Sequence, residues 1–139
     1  GNVRRNKTTV PGEFRHSQNY LGRESMISYV PPVAENVERL MENFVEYFNS
    51  TEDPQRPLVR AAIMHAQFET IHPFMDGNGR VGRILIPLFL FKHKQISLPC
   101  FFISETLERD KFKYYALLNA IREENDWNSW IDFQKQKNR

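Results

Sequence analysis

Residues 72–83 read His-Pro-Phe-Met-Asp-Gly-Asn-Gly-Arg-Val-Gly-Arg, and this run is the most informative stretch of the 139-residue chain. It combines a histidine, whose side chain titrates near neutral pH, with a carboxylate, a glycine-rich turn and two arginines. Glycines allow main-chain N–H groups to reach phosphate oxygens without an intervening side chain. The set is therefore typical of a site that binds a nucleoside triphosphate.

Both flanks of this run are apolar enough to predict core helices. Upstream, Leu58–Ile71 carries only Arg60 and Glu69 as charged residues, and its apolar residues fall on opposite helical faces. Downstream, Val81–Phe91 reads VGRILIPLFLF and is again apolar on every face, with a kink expected at Pro87. A helix that is apolar all round is a buried one, so the sequence predicts a loop held between two core helices.

The dipeptides Asp76-Gly77 and Asn78-Gly79 are also strong β-hairpin signals. A hairpin needs alternating apolar residues on both sides, and neither flank alternates. A single histidine beside a core helix is more often packed or exposed than catalytic. His72 therefore gains its significance from the whole run and not from its own position.

His65 lies seven residues before His72 and would share its helical face if the helix continued. A metal site formed by these two residues and Asp76 is an alternative, but a packed His65 is the favoured interpretation because Pro73 breaks the geometry. Pro73 also favours an extended backbone at His72. We expect this conformation to end the helix and to turn the imidazole outward.

The run resembles the signature HPFx[D/E]GNGRxxR of the Fic (filamentation-induced-by-cAMP) family, and every specified position is met from His72 to Arg83. Glu13–Pro32 is similar to the family's flap and the helix start that follows it. Phe101–Phe133 is similar to the closing helices of bacterial members. The resemblance implies an all-α, Fic-type helical bundle with a short β-hairpin flap before the core helices.

The domain limits follow from this resemblance, which covers residues 13–133. Residues 1–12 are then a polar lead-in, and residues 134–139 are a solvated C-terminal end. The limits agree with the chain length, which is typical of one domain.

The resemblance implies a protein adenylyltransferase, which transfers AMP from MgATP to a Ser, Thr or Tyr hydroxyl of a target protein and releases pyrophosphate. It places His72 at the general-base position and Asp76 at the Mg²⁺ position, and it makes Arg80 and Arg83 catalytic residues on the phosphates. The other nucleotide-binding positions are Phe74, Gly77, Asn78, Gly79, Tyr114 and Tyr115. The flap residues expected to dock the target are Asn19, Tyr20, Leu21 and Gly22.

Several of these assignments have structural alternatives. Phe74 is expected to point into the core and anchor the loop, and Tyr114 or Tyr115 can serve core packing instead of the adenine. Asn78 is also suited to a polar ligand contact. The flap has the alternative of an ordinary surface hairpin.

Other functions stay open. An enzyme of the same fold can transfer phosphate, UMP or GMP, and a non-enzymatic interaction module can keep the motif as a nucleotide sensor. A nucleic-acid-binding regulator would require a basic stripe, but only the termini are basic. Nucleic acid is therefore an unlikely partner, whereas ATP and a protein substrate are the expected ones.

Many Fic proteins resemble one another in an inhibitory helix with the pattern [S/T]xxxE[G/N], whose glutamate pairs with the arginine that corresponds to Arg83. No complete copy is present. Ser104…Glu108 is followed by Arg109, and the copy that ends at Glu124 lacks the hydroxyl residue. Three alternatives stay open: an inhibitory helix upstream of Gly1, one on another chain, or none.

Composition limits the class of protein. Hydrophobic residues at 40% and charged residues at 26% predict a globular domain. The net charge of +2 is too small to indicate binding to nucleic acid or an anionic membrane. The single cysteine, Cys100, excludes an internal disulfide and is expected in the core. With no long apolar stretch and no secretory signal, we expect no membrane partner and a cytoplasmic location, with a secreted effector as the alternative.

Periodicity predicts the remaining elements. Phe14–Val30 reads as an irregular hairpin, and the pair Pro31-Pro32 opens an amphipathic helix that runs to about Asn49. Thr106–Glu124 is expected to be helical. Trp127, Trp130 and Ile131 mark a last helix that packs by one face.

Overall fold

The computed structural model describes residues 10–23, 26–96 and 111–137 of the chain. Two antiparallel strands come first in this part, β1 (Leu21–Arg23) and β2 (Met26–Tyr29), with an irregularity in the pairing between Leu21 and Gly22. Five helices follow: α1 (Ala34–Asn49), α2 (Pro57–Ile71), α3 (Asn78–Lys92), α4 (Lys111–Glu124) and α5 (Trp127–Lys137). The expected helical bundle with a β-hairpin in front of it is confirmed.

Helix α1 packs by one face, as its sequence predicts. Val37, Met41 and Phe44 are buried on it, at the spacings of four and three that place residues on one side of a helix. The helix begins at Ala34 and ends at Asn49, which confirms the predicted end.

Helix α2 is the centre of the bundle, because α1, α3 and α5 all pack against it. Its buried residues lie on every face, which confirms the expectation drawn from its apolar composition. Trp130 of α5 is fully buried, and its indole N–H donates to the Ala62 carbonyl oxygen at 2.8 Å. The helix that leads to the 72–83 run is thus fixed by its neighbours.

His65 is a packed core residue, as favoured from the sequence. Its side chain is fully buried and stacks against the Trp130 ring at a centroid distance of 5.9 Å. Nδ1 lies 3.1 Å from the Gly82 carbonyl oxygen and Nε2 lies 2.6 Å from the Tyr114 hydroxyl. Since a carbonyl only accepts, Nδ1 carries the proton and Tyr114 donates to Nε2. Burial lowers the pKa of His65 to about 4.

Helices α2 and α3 approach most closely at Gly82. A Cβ atom at this position would lie 2.4 Å from Glu69 Oε1 and 3.2 Å from atoms of both the His65 and Phe68 rings. All three of those side chains are buried, so none can move away into solvent. The absence of a side chain at Gly82 therefore sets the distance between the two helices that flank the run.

One predicted boundary differs from the structure, and another cannot be compared with it. The expected solvated end at 134–139 starts too early, because Gln134 lies within α5 and is only 1% exposed. Helical periodicity puts it on the same face as the buried Trp130 and Phe133. Of the predicted helix Thr106–Glu124, the part before Lys111 lies outside the described residues, as does Cys100. Among the described helices, none is both long and apolar enough to cross a membrane.

We expect Gly82→Ala to lower the free energy of unfolding by about 1–3 kcal/mol, the usual cost of overpacking a core. This loss would outweigh the gain of about 1 kcal/mol that alanine brings to a helix interior. Urea unfolding followed by circular dichroism measures it. Ile84→Ala on the same helix is the control, because Ile84 is 58% exposed and its truncation should change stability by about 0.5 kcal/mol or less. Parent-like stability of Gly82→Ala would contradict the packing argument.

The buried His65 predicts a loss of stability in acid. Its pKa falls from 6.5 to about 4 on folding, so the folded chain binds fewer protons between these values than the unfolded chain. The free energy of unfolding therefore decreases as the pH falls from about 6.5 to 4, by about 3 kcal/mol from this residue. The free energy of unfolding of His65→Gln should be lower at pH 7, but it should decrease less than that of the parent as the pH falls from about 6.5 to 4.

The measurement is urea unfolding of parent and variant at several pH values. His72 changes the free energy of unfolding with pH in the same direction as His65, and Glu69 changes it in the opposite direction. Both residues are present in the two proteins, so the difference between their pH dependences isolates the contribution of His65. Identical slopes would show that His65 is not the source.

Candidate functional site

The backbone at His72 is left-handed. Helix α2 ends at Ile71, and His72 is its C-cap with φ 50° and ψ 61°. The predicted end of the helix is confirmed, but the extended conformation expected before Pro73 is wrong. A residue other than glycine in this region costs about 1–3 kcal/mol, so its surroundings must hold it there.

Arg15 provides much of that support, and sequence reasoning missed it. Its side chain donates from Nε to the His72 carbonyl oxygen at 2.8 Å and from Nη2 to the Ile71 carbonyl oxygen at 3.2 Å. Its own backbone N–H donates to the Pro73 carbonyl oxygen at 2.8 Å. One residue thus binds three successive carbonyl groups at the end of α2, where a helix has no internal donors for them.

The carbonyl groups just before these also have tertiary partners. The Tyr29 hydroxyl donates to the Thr70 carbonyl oxygen at 2.9 Å, and Arg122 Nη2 lies 3.4 Å from that of Glu69. The Arg122 guanidinium carbon lies 3.6 Å from the centre of the Tyr29 ring, within cation–π range. The hairpin and α4 therefore meet at the end of α2.

Asn78 closes the other side of the loop. Its side chain is only 2% exposed, accepts from the Phe74 N–H at 2.8 Å and donates to the Phe74 carbonyl oxygen at 2.7 Å. Both polar atoms of this side chain are thus bonded within the loop, and the suggested polar ligand contact of Asn78 stays a prediction. Phe74 lies against Phe14 and Phe68, as expected of a loop anchor, and Asn19 Nδ2 donates to its carbonyl oxygen at 3.2 Å.

The His72 imidazole is half-buried and electrically neutral at physiological pH. Burial is the main reason that its pKa is lowered to about 4. The charges of Arg15 and Arg122 act in the same direction, and the Glu69 carbonyl oxygen acts in the opposite one. Nδ1 is buried and has no hydrogen-bond partner of normal geometry within the described part of the chain. The unprotonated ring is the form that can accept a proton.

A helix start suited to anions follows, with its N-cap five residues after His72. Gly77 has φ 80° and precedes α3 as its N-cap without a capping side chain. Within the described residues, no acceptor is found for the backbone N–H groups of Asn78, Gly79 and Arg80. Unpaired N–H groups and the positive end of the helix dipole together favour a phosphate group.

Two cations lie on this first turn. The Arg80 side chain is exposed, and Arg83 Nη1 lies 3.0 Å from where a Cβ atom on Gly79 would stand. The Arg83 guanidinium therefore lies back over the start of α3. Of the carboxylates in the described part of the chain, none forms an ion pair with either arginine.

Asp76 is exposed beside this turn. Its Oδ1 accepts from the Gly77 N–H at 2.8 Å, which orients the carboxylate. No cluster of three or more potential metal ligands occurs among the described residues. Mg²⁺ commonly needs only one or two carboxylates when substrate phosphates supply the other oxygens, so this side chain fits the ion as a single protein ligand.

Glu69 is a second residue that sequence reasoning missed as part of the site. It is 5% exposed, and its Oε1 has no hydrogen-bond partner. Burial raises its pKa to about 7, and the charges of Arg83 and Arg122 partly oppose this. Glu69 is one of only two charged residues in the mainly apolar stretch 58–71, and this was the available signal, since a buried charge needs partners.

The two tyrosines expected near the nucleotide have different environments. Tyr114 is 5% exposed and bonded to His65, so it packs in the core, whereas Tyr115 is 43% exposed. In the predicted flap, Tyr20 is 60% exposed. Tyr115 and Tyr20 are thus the tyrosines with surface for a ligand or a target.

Comparison with known proteins gives one family. The model of the Fic/DOC family matches residues 3–90. The chain is 32% identical over 115 residues to "Protein adenylyltransferase Fic" of Drosophila ananassae, a match that covers 81% of this chain and 20% of the relative. The protein of the same name from Drosophila melanogaster is 31% identical, with 81% and 21% covered. The chain therefore spans about a fifth of the length of these curated relatives.

Two solved structures of Fic proteins have folds similar to that of this chain. A Fic family protein from Desulfovibrio desulfuricans G20 superposes with a TM-score of 0.77 at 28% identity, covering 96% of this chain and 40% of the other. A Fic-domain-containing signaling protein from Bacteroides thetaiotaomicron VPI-5482 gives a TM-score of 0.56 at 25% identity, covering 63% and 34%.

Proposed function

The chain belongs to the Fic/DOC family, and from this premise we propose that it is a protein adenylyltransferase. It transfers AMP from MgATP to a Ser, Thr or Tyr hydroxyl of a target protein. The observation that carries the proposal is the loop between α2 and α3. It joins a neutral imidazole at His72 to a helix start whose N–H groups have no acceptor within the described residues.

His72 is the general base in this proposal. The target hydroxyl oxygen attacks the α-phosphorus, its proton moves to the imidazole, and the bond from the α-phosphorus to the oxygen that bridges to the β-phosphorus breaks. Nδ1 is buried, which leaves Nε2 as the nitrogen that accepts the proton. A group that takes this proton typically contributes 10²–10⁴-fold to the rate.

The start of α3 and its two arginines hold the leaving group. Negative charge grows on the pyrophosphate as the bond breaks, so contacts from the N–H groups, Arg80 and Arg83 strengthen in the transition state. Arginine suits this role because its forked donors match phosphate oxygens. The absence of an ion-paired carboxylate on Arg83 among the described residues supports its availability.

Asp76 is the residue that would hold Mg²⁺, which supplies charge neutralisation to the phosphates when bound. The Gly77 N–H holds one oxygen of the carboxylate and leaves the other for the ion. Asp76 is exposed beside the phosphate-binding turn, so it serves without further carboxylates.

The β1–β2 hairpin docks the target. Tyr20 is 60% exposed at its entry, while Asn19 ties the same segment to the Phe74 carbonyl oxygen. A target segment can add to such a hairpin as a further strand, which gives affinity through main-chain hydrogen bonds. Tyr115 is the tyrosine proposed to contact the nucleotide base, because Tyr114 is buried.

Regulation through Arg83 belongs to the same proposal. An inhibitory glutamate from another segment or another chain would pair with Arg83 and compete with the γ-phosphate. ATP would then bind in a pose unsuited to in-line attack.

We expect His72→Ala to abolish transfer of label from ATP labelled on the α-phosphate, with a decrease of about 10²–10⁴-fold because the general base is lost. Calorimetry should show little change in ATP affinity. His16→Ala is the matched control, since the His16 side chain is 84% exposed and should be dispensable. Label that moves only from γ-labelled ATP would indicate a phosphotransferase, and no transfer with intact ATP binding would indicate a nucleotide sensor. A His72→Ala variant that labels at the parent rate would disprove the base.

Arg83→Ala should weaken ATP more than ADP, because its guanidinium contacts the γ-phosphate in this proposal. A charge-assisted hydrogen bond contributes roughly 1.5–3 kcal/mol, which corresponds to about tenfold or more in affinity. Calorimetric titration with both nucleotides measures the difference. Arg39→Ala is the control, since Arg39 is exposed on α1. An equal loss for ATP and ADP would remove Arg83 from the γ-phosphate.

A further inference from the structure

Arg15 is a buried arginine whose guanidinium is bonded to main-chain carbonyl oxygens. It is 3% exposed, and its guanidinium donates to four carbonyl oxygens. Two of these belong to Ile71 and His72, and the other two belong to Ser17 and Pro32. Four of the five N–H donors of a guanidinium are thus used, and all four acceptors are main-chain atoms.

We propose that Arg15 is a positioning residue, which fixes the left-handed backbone of His72 and thereby the direction of its imidazole. The inference rests on the proposed function only in taking His72 as the base. The geometric part concerns the folded chain alone and is measurable without any transfer.

The end of α2 shows why such a residue is needed. His72 is a non-glycine residue with φ 50°, and the carbonyl groups on both sides of its α-carbon are bonded to the same guanidinium. Rotation of the backbone out of the left-handed region would break at least one of these bonds. Displacement of a catalytic group by about 1 Å can lower the rate roughly 100-fold. A residue that keeps the His72 backbone in place therefore protects the rate of the reaction.

Arg15 also connects the hairpin to the base. Nη1 donates to the Ser17 carbonyl oxygen at 3.2 Å and Nη2 to that of Pro32 at 2.5 Å, so the chain is held before β1 and after β2. Gln18 reinforces this closure through a bond from Nε2 to the Pro31 carbonyl oxygen at 2.9 Å. The segment proposed to dock the target and the backbone of His72 are therefore fixed by one side chain.

The charge of Arg15 acts on the same imidazole. The charged and polar groups that influence His72 are Arg15 from the segment before the hairpin, Arg122 from α4 and the Glu69 carbonyl oxygen from α2. Both cations disfavour a proton on the ring. Charge and hydrogen-bond geometry are separable by substitution, because lysine keeps the charge but has no planar fork of donors.

The test compares Arg15→Met and Arg15→Lys with the parent. The His72 imidazole pKa is followed by NMR titration of the nucleotide-free chain, and kcat and KM for ATP are measured with the α-label. Arg15→Met should raise the His72 pKa from about 4 toward 6.5 and lower kcat roughly 100-fold. Arg15→Lys should leave that pKa close to the parent value but still lower kcat, and KM for ATP should change little in both.

Arg60→Met is the matched control. Arg60 is also 3% exposed, donates from Nη2 to the Tyr47 carbonyl oxygen at 2.8 Å, and lies in the first turn of α2. That turn is about 18 Å from the His72 end at 1.5 Å per residue. Its loss should lower stability while the His72 pKa and the kcat of the folded fraction stay at parent values.

Equal effects of Arg15→Met and Arg60→Met on the His72 pKa and on kcat would overturn the proposal, since burial alone would then explain both. If Arg15→Met does not fold, Arg15→Lys decides, and a parent-like kcat overturns the positioning role. If the parent transfers no label, the adenylyltransferase proposal fails. The NMR spectrum of the nucleotide-free chain then still decides the role of Arg15: His72 backbone chemical shifts that stay at parent values in both Arg15→Met and Arg15→Lys overturn it.

Discussion

The left-handed backbone at His72 is the constraint on which the rest of the site depends. It ends α2, turns the chain toward the start of α3, and leaves a series of carbonyl groups without helical donors. Arg15, Tyr29 and Arg122 supply those donors from three different parts of the chain. The strain of about 1–3 kcal/mol is therefore balanced by hydrogen bonds that exist only in the complete fold. A loop held in this way is rigid enough to place a reacting group.

The packing of α2 against α3 also holds the site in its geometry. Gly82 lets the helices approach until the Glu69 and His65 side chains lie against the α3 backbone. The distance between the end of one helix and the start of the next is thereby set, and with it the separation of His72 from the unpaired N–H groups. Core packing therefore determines the geometry of the site, because a larger distance between α2 and α3 would separate the base from the phosphate-binding turn.

The sequence predicted what local chemistry and periodicity determine. The 72–83 run marked the loop and the family, and apolar spacing located α1 and the central helices. What local patterns missed at the site involves contacts between residues that are far apart in the sequence. Proline at position 73 favours an extended neighbour, but a guanidinium 57 residues away selects the left-handed state. The buried Glu69 likewise depends on charged neighbours, Arg83 and Arg122, that a linear pattern does not specify.

The electrostatics of the site follow from this arrangement and bear on the proposed function. Burial, together with the charges of Arg15 and Arg122, keeps His72 neutral but also makes it a weak base in the nucleotide-free chain. A triphosphate at the start of α3 would bring several negative charges close to the same region, and negative charge near an imidazole raises its pKa. Under the proposed function, the base would therefore gain strength when the nucleotide is present. Nucleotide binding and proton acceptance by His72 are therefore linked through the charges around the imidazole.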